Sequence, residues 1–462
     1  MRRVAIVGLR LSLSSLPRHV DVVIVGAGAA GLAAARHLTD AGIDGCVIDA
    51  RDRIGGRVFT TRDADTPGPI ELGAEFVHGR APELRALIEQ ASLTMVDVAG
   101  TRWRTAGQTL RRFDDFWEQL DSAMRRHDGD RRRPDRSFND VLSANPGGRR
   151  LAEARQLARH YVEGFHAADP SLVSAQAMAE NGSPGDDLRE RRIGRVLEGY
   201  DRLLAWLAAP LEPRVHLSSV VTDIEWEPRR VSVRVRDTRG ERGGVIDARG
   251  ALVTVPIGVL NSGPDAEGAI RFTPAIDQKR KVLERLASGT VVRVVLRLRE
   301  RFWASDAFAK RHGSDDLDTL SFLHGRAGPF PTWWTAYPSI APVLVAWCGG
   351  PCARDLVHQS PEAVVDAASA ALARHTGLPR RAVASMIEQT WMHDWEHDPY
   401  SRGAYSYQMV GGSDAPAELA KPIRGTLFFA GEASEASGGT GTVHGAIATG
   451  TRAAKQVLRA LG

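Results

Sequence analysis

Cysteine is scarce in this chain of 462 residues, which has only Cys46, Cys348 and Cys352. Three is too few, and too odd a number, for a secreted disulfide framework, so a reducing compartment is expected. Cys348 and Cys352 sit in WCGGPC and could make a redox pair, but the apolar strand-like run and Gly-Gly-Pro turn around them favour cysteine as a small buried side chain. Lysine is nearly as scarce: five of the 60 basic residues, the others being arginine. No apolar run reaches the ~18 residues of a membrane span. Formal net charge is only +4 with the two signs interleaved, which excludes the basic stripe of a nucleic-acid-binding protein. The densest basic cluster, residues 125–136, is broken by Asp128, Asp130, Pro134 and Asp135 and reads as a solvated loop. There is no internal repeat and no low-complexity tract. With 43% apolar and 25% charged residues the chain has the material for a core, and a cytoplasmic protein without a membrane partner is expected. Residues 1–19 hold a short apolar stretch without an A-x-A-like site and read as an N-terminal extension.

What the chain does have is glycine at two chosen places. Residues 22–31 read VVIVGAGAAG, a β-branched run that breaks at Gly26, Gly28 and Gly31 and opens the alanine-rich stretch LAAARHLTDAG. That is a strand, tight turn and helix in which the backbone can approach a pyrophosphate and the helix N-terminus can meet it. The next strand, CVIDA, carries Asp49, 18 positions after Gly31. This is close to the ~20 expected of the acid that takes a ribose hydroxyl. Near the other end, residues 427–446 read LFFAGEASEASGGTGTVHGA, and one dinucleotide is expected to need both segments.

The fold class expected is α/β, a Rossmann-like dinucleotide-binding domain with a discontinuous α+β substrate domain. Residues 20–80, 213–269 and 423–462 form the first, and 81–212 and 270–422 the second. Apolar residues at i, i+3 and i+4 in ELRALIEQA, RFDDFWEQLDSAM and YDRLLAWLAAP make 81–212 read as helical. VHLSSVVTDIEW, VSVRVRDT and VIDARGALVTVP alternate as an antiparallel meander, and TVVRVVLRL and VLVAWC read as strands.

The segments VVIVGAGAAGLAAARHL, RIGGR, LGAEFVHG, VTVPIGVL, DPYSRGAYSY and FFAGEASEASGGTGTVHGA, in this order, resemble the flavin-containing amine oxidase family. That family includes monoamine oxidases, polyamine oxidases and lysine-specific histone demethylases, and the likeness spans nearly the whole chain. It implies FAD. The turn residues Gly26, Gly28, Ala30 and Gly31 would cradle it, and Asp49 would hold the adenosine ribose. Arg51 and Arg57, with Gly56 between them, would fork toward the pyrophosphate and flavin. Gly73, Ala74 and Glu75 would line the flavin side, and the Val221 backbone would meet the adenine. Trp395 and Tyr400 would be flavin neighbours. Gly431 and Glu432 would lie near the ribityl and phosphate groups. Thr442 and Val443 would open the last helix against the pyrimidine edge, where the helix dipole favours negative charge. Ala404 stands where some members carry a flavin-bound cysteine, so non-covalent FAD is expected, and no metal.

The resemblance also implies the chemistry: hydride transfer from the carbon beside an amine to flavin N5, giving an imine that water hydrolyses and, with O2, hydrogen peroxide. An aromatic pocket disfavours the ammonium form by desolvation while its ring faces attract the arriving cation. Tyr405 matches a cage aromatic, with Thr442 at the opposite position. His78 is either a substrate-side histidine or a hydrogen-bonded structural one. Arg293 replaces the family's usual lysine near N5, keeping the charge and changing the geometry, so that O2 or another acceptor stays open. The expected substrate is a small primary or secondary amine, polyamines included. A dehydrogenase or desaturase of a non-amine substrate, and a flavin-binding protein without turnover, are the other readings.

Overall fold

The β-branched run before the first glycine forms strand His19–Val25, and the alanine-rich stretch forms helix Ala29–Asp40, in a computed structural model that describes residues 16–124, 134–144, 151–181, 192–325 and 328–462. Most of the loop read at 125–136, and residues 1–15 of the extension, lie outside the described residues.

His19–Val25 runs parallel to Gly45–Ile48 on one side and to Gly243–Val253 on the other. The latter is the seam of an eight-stranded sheet. Its first half carries the expected antiparallel meander, Arg230–Asp237 and then Ser219–Glu227, while its last residues pair parallel with Leu427–Phe429. The final motif therefore emerges one strand away from the first. Helix Val443–Leu461 packs on Ala29–Asp40, and Gly450 permits it: a Cβ there would lie 2.2 Å from the Ala30 carbonyl oxygen. At a free helix position alanine would be the better residue. Here contact decides.

The strands expected at 290–298 and 343–348 are Val291–Leu298 and Val343–Gly349, neighbours in a seven-stranded sheet. Across it the order is Ile387–Trp391, Val291–Leu298, Val343–Gly349, Thr332–Thr335, Leu320–His324, Thr101–Ala106, Thr109–Arg112. One face packs apolar side chains such as Val294, Leu296, Ala346 and Trp333 with helix Pro361–Thr376. The other holds direct cross-strand partners in a row, Val345, Trp334, Phe322 and Arg102, and a second row, Arg293, Trp347, Thr332 and His324.

Two expectations are corrected. Residues 81–212 include the three expected helices, Pro82–Gln90, Phe116–Met124 and Tyr200–Ala208, but also strands Met95–Asp97, Thr101–Ala106, Thr109–Arg112 and Ile193–Val196. The pattern RWRTAGQTLRR alternates around Gly107, a hairpin signal that the neighbouring helices masked. Cys348 and Cys352 are joined in a disulfide, not separate thiols, because the turn at Gly350 folds the chain back and brings their Cα atoms within 5.9 Å. The cysteine argument for a reducing compartment goes with that pairing. Cys46 is free and buried. Among the described residues no helix is long and apolar enough to cross a membrane.

Candidate active site

Both glycine-rich segments open onto one cavity of about 1040 Å³. Three glycines of the first turn do three different things. Gly26 takes φ +111°, and a Cβ there would meet Thr254 Oγ1 at 2.6 Å. Gly31 lets helix and strand touch, since its Cβ would stand 1.8 Å from the Gly26 oxygen. Gly28 faces open space, with nothing nearer to a Cβ than the Gly55 oxygen at 4.0 Å. Gly56 and Gly431 border the same space, the latter with φ +126°. No side chain caps helix Ala29–Asp40, so its first N–H groups are left for a ligand at the positive end of the dipole. The residues thus fit an anionic, flat group: side chains at these glycines would fill the cradle.

Asp49 holds the turn from below, accepting from Ala27 N (2.7 Å) and Arg51 N (2.9 Å). Burial pushes its carboxyl up against the pull of those two N–H groups. The arginines expected to fork onto phosphate are committed to carboxylates. Arg51 donates from Nη2 to both Asp398 oxygens, at 2.9 Å each, and from Nη1 to the Tyr400 carbonyl at 3.3 Å, and lies over the Tyr400 ring. Burial would raise the Asp398 carboxyl, but hydrogen bonds from His393 and Arg51 bring it down to about 2. Arg57 donates to Glu432 Oε1 at 2.9 Å and to the Ala404 carbonyl. Glu432 also accepts from Ser406 Oγ (2.6 Å) and Gly441 N (3.1 Å). Negative charge on a ligand would therefore be met chiefly by backbone N–H groups. Arg53, which sequence reasoning passed over, braces the loop by donating to the Gly56 oxygen at 3.0 Å. Trp395 is fixed by a bond to the Leu72 oxygen, and Val221 lies where the sheet register slips between Val221 and Asp223. Thr442 caps helix Val443–Leu461, accepting from Gly445 N at 3.0 Å.

Arg293 reaches the cavity as part of a clamp. Its guanidinium donates to the Gly73 oxygen (2.8 Å) and pairs with Glu75, which also takes Arg195 (2.6 Å) and Trp334 Nε1 (3.0 Å). Burial alone would raise the Glu75 carboxyl; the two arginines more than reverse that and keep it ionised. Beyond this clamp the lining is aromatic. Tyr161 and Phe165 stack at 5.0 Å, His78 meets Phe165 edge-on at 5.0 Å, and Phe116 stacks on His324 at 4.9 Å. Tyr405 donates its hydroxyl to the Phe165 oxygen at 2.7 Å, so the ring is positioned and the phenol occupied. Burial raises that phenol further. Among the described residues His78 makes no hydrogen bond through Nδ1, and burial followed by His444 and His166 lowers it to about 4. His324 falls to about 3, through burial and then Arg102 and His160.

Of the residues singled out in the sequence, all line this cavity except Gly31, which packs behind it. Arg102, His324, Trp334, Trp347 and Phe165 also line it and were not foreseen. For the four on strands the only local signal was alternation, and Phe165 ends helix Ala152–Phe165. Among the described residues no cluster of metal-binding side chains occurs.

Residues 29–458 match the family described as flavin containing amine oxidoreductase. The chain is 29% identical to polyamine oxidase 2 of Arabidopsis thaliana, over 95% of this chain and 88% of that one. It is 28% identical to human lysine-specific histone demethylase 2, over 95% of this chain and 53% of that one. Among solved structures it shares its fold with putrescine oxidase bound to putrescine (TM-score 0.79, 22% identity, 96% and 99% of the two chains). Cyclohexylamine oxidase from Brevibacterium oxydans is similar too (TM-score 0.74, 22%, 95% and 99%).

Two neutral histidines of the cavity, His78 and His324, make stability depend on pH. Unfolded, each takes a proton below its ordinary 6.5; folded, His78 waits until about 4 and His324 until about 3. Their contribution is whole above pH 6.5 and is lost as pH falls toward those values, costing about 2 kcal/mol each by pH 5. Urea unfolding at pH 7 and pH 5 should show His324→Phe losing about 2 kcal/mol less between the two than the parent protein. Equal losses would mean that His324 is not buried neutral.

Proposed function

The chain belongs to the flavin-containing amine oxidoreductase family, and from that premise we propose that it oxidises a primary or secondary amine on non-covalently bound FAD. The observation that carries the reading is the meeting of both glycine-rich segments on one cavity whose far end is aromatic. We assign the FAD-binding part to residues 20–80, 213–269 and 423–462, and the substrate part to 81–212 and 270–422. The turn at Gly26, Gly28 and Ala30 would hold the pyrophosphate through N–H groups, and the Val221 backbone the adenine. Asp49 fixes the turn from behind and sits where a ribose would lie. Gly73, Ala74, Thr442 and Val443 would border the ring system, and Gly431 the ribityl and phosphate groups. Arg51, Arg57, Glu75 and Glu432 hold the surrounding loops in place through their ion pairs.

When bound, FAD supplies a two-electron acceptor for the hydride. The chain's own residues do the rest. The aromatic walls exclude water, which favours the neutral amine that can give up a hydride. His78, neutral near pH 7, adds no charge against that amine and offers it a nitrogen. Tyr405, held by the Phe165 carbonyl, presents a ring face to the incoming cation. The imine product would be hydrolysed by water, and O2 or another acceptor would take the electrons. Among the described residues no cysteine lines the cavity, and Ala404 offers no nucleophile, which supports the non-covalent reading.

The purified holoprotein, kept anaerobic, should lose its yellow absorbance with members of an amine panel, and acid should release the flavin from the precipitate. Bleaching by alcohols or hydrocarbons but no amine would favour the dehydrogenase reading; bleaching by nothing would favour a protein without turnover. The Arg293 clamp sets a second test. Its guanidinium is held by Gly73 and Glu75, whereas a lysine would present a compact charge able to order water. Arg293→Lys should raise the rate at which the reduced protein reacts with air by about tenfold, the scale of one contact of ~1.4 kcal/mol. Equal rates would strip the replacement of significance.

A further inference from the structure

Arg102 is a largely buried cation that no carboxylate among the described residues answers. It stands on strand Thr101–Ala106, opposite Phe322, and its guanidinium lies 4.4 Å from the Phe322 ring centre, 5.1 Å from Phe116 and 5.4 Å from Trp117. Among the described residues it makes no ion pair and no side-chain hydrogen bond, yet it lines the cavity. Burial lowers it only to about 10, so it stays charged at neutral pH. Ring faces compensate part of the lost hydration. They leave its five N–H donors without an acceptor among the described residues.

The carboxylates of the cavity do not supply them. Glu75 is held by two arginines, Glu432 by Arg57, and Glu435 and Asp49 by backbone N–H groups. Glu83 stands exposed on the first turn of helix Pro82–Gln90. The titratable groups that interact with Arg102 on its side of the cavity are Tyr161 and His324, with His160 beside the latter. A substrate that is a cation at both ends would meet repulsion here.

We propose that the amine substrate carries a carboxylate at the end remote from the carbon oxidised, and that Arg102 pairs with it. This rests on the amine-oxidising reading of the same cavity. The sheet sets the length. Arg293 and Arg102 lie on one face, four strands apart, on the order of 19 Å between Cα atoms at ~4.8 Å per strand. An α-amino acid is too short to reach from one end to the other. The aromatic row between them, Trp334 and Phe322, suits an apolar spacer. The class is therefore an ω-amino acid or a similarly long amine ending in a carboxylate.

Calorimetry on the holoprotein with octanoate and octanamide separates the anion site from turnover. Octanoate should bind the parent protein and bind Arg102→Gln at least about 30-fold more weakly, the scale of one charge-assisted hydrogen bond, while octanamide binds both alike. Arg102→Lys, which keeps the charge should the glutamine variant fail to fold, should bind octanoate within about tenfold of the parent. Flavin reduction should then be faster with ω-aminooctanoate or ω-aminododecanoate than with octylamine or α-amino acids, and Arg102→Gln should erase that preference through KM. Octanoate binding that is absent, or indifferent to Arg102→Gln, overturns the proposal. So does equal reduction by octylamine. If octanoate binds through Arg102 but no amine bleaches the flavin, the anion site stands and the amine-oxidising reading falls.

Discussion

The ion pair between Arg57 and Glu432 ties together two segments 375 residues apart, and the site is assembled around it. Neither partner could be there without the sheet. Strand Gly243–Val253 sits between the first strand and the last, so that both glycine turns leave the same edge on the same side. Helices Ala29–Asp40 and Val443–Leu461 then close on one another through Gly450. Once that frame is set, a carboxylate buried at 5% exposure needs several donors. Glu432 draws them from three places: the RIGGR loop, the strand after Ala404 and the final glycine run. Each donor fixes a different wall of the cavity.

The cavity has two electrical characters. Toward the glycine turns, positive charge is neutralised by protein carboxylates and the free donors are backbone N–H groups. Toward the seven-stranded sheet, cations outnumber their partners: Arg293 shares its one glutamate with Arg195 behind it, and among the described residues Arg102 meets only rings. Buried arginines of this kind are costly unless a partner arrives. The arrangement is more economical for a ligand than for structure alone.

Much of this was legible in the sequence because it is local. Gly26, Gly28 and Gly31 prescribe a turn by their spacing, and the helices at 82–90 and 200–208 by their period. What escaped was non-local. Arg51 and Glu75 lie in motifs that a reader assigns to the ligand, yet their partners, Asp398 and Arg195, come from distant segments that no spacing connects. Arg102, Phe322 and Trp334 share a wall only because their strands pair in register, and an aromatic in a strand looks like core until the sheet is laid out. The pairing of Cys348 with Cys352 was set aside for a similar reason: the turn between them, not the number of cysteines, brings them together.

The most direct test is a double-mutant cycle on FAD affinity with Arg57→Gln, Glu432→Gln and both. Each single change leaves a buried charge or donor unanswered and should weaken FAD binding by about 100-fold, the ~3 kcal/mol of a broken buried pair. The double should be no weaker than the worse single, since the two residues act as one joint. Losses that add in full, or singles that keep the parent affinity, would contradict the claim that this pair joins the two ends of the chain around one cofactor.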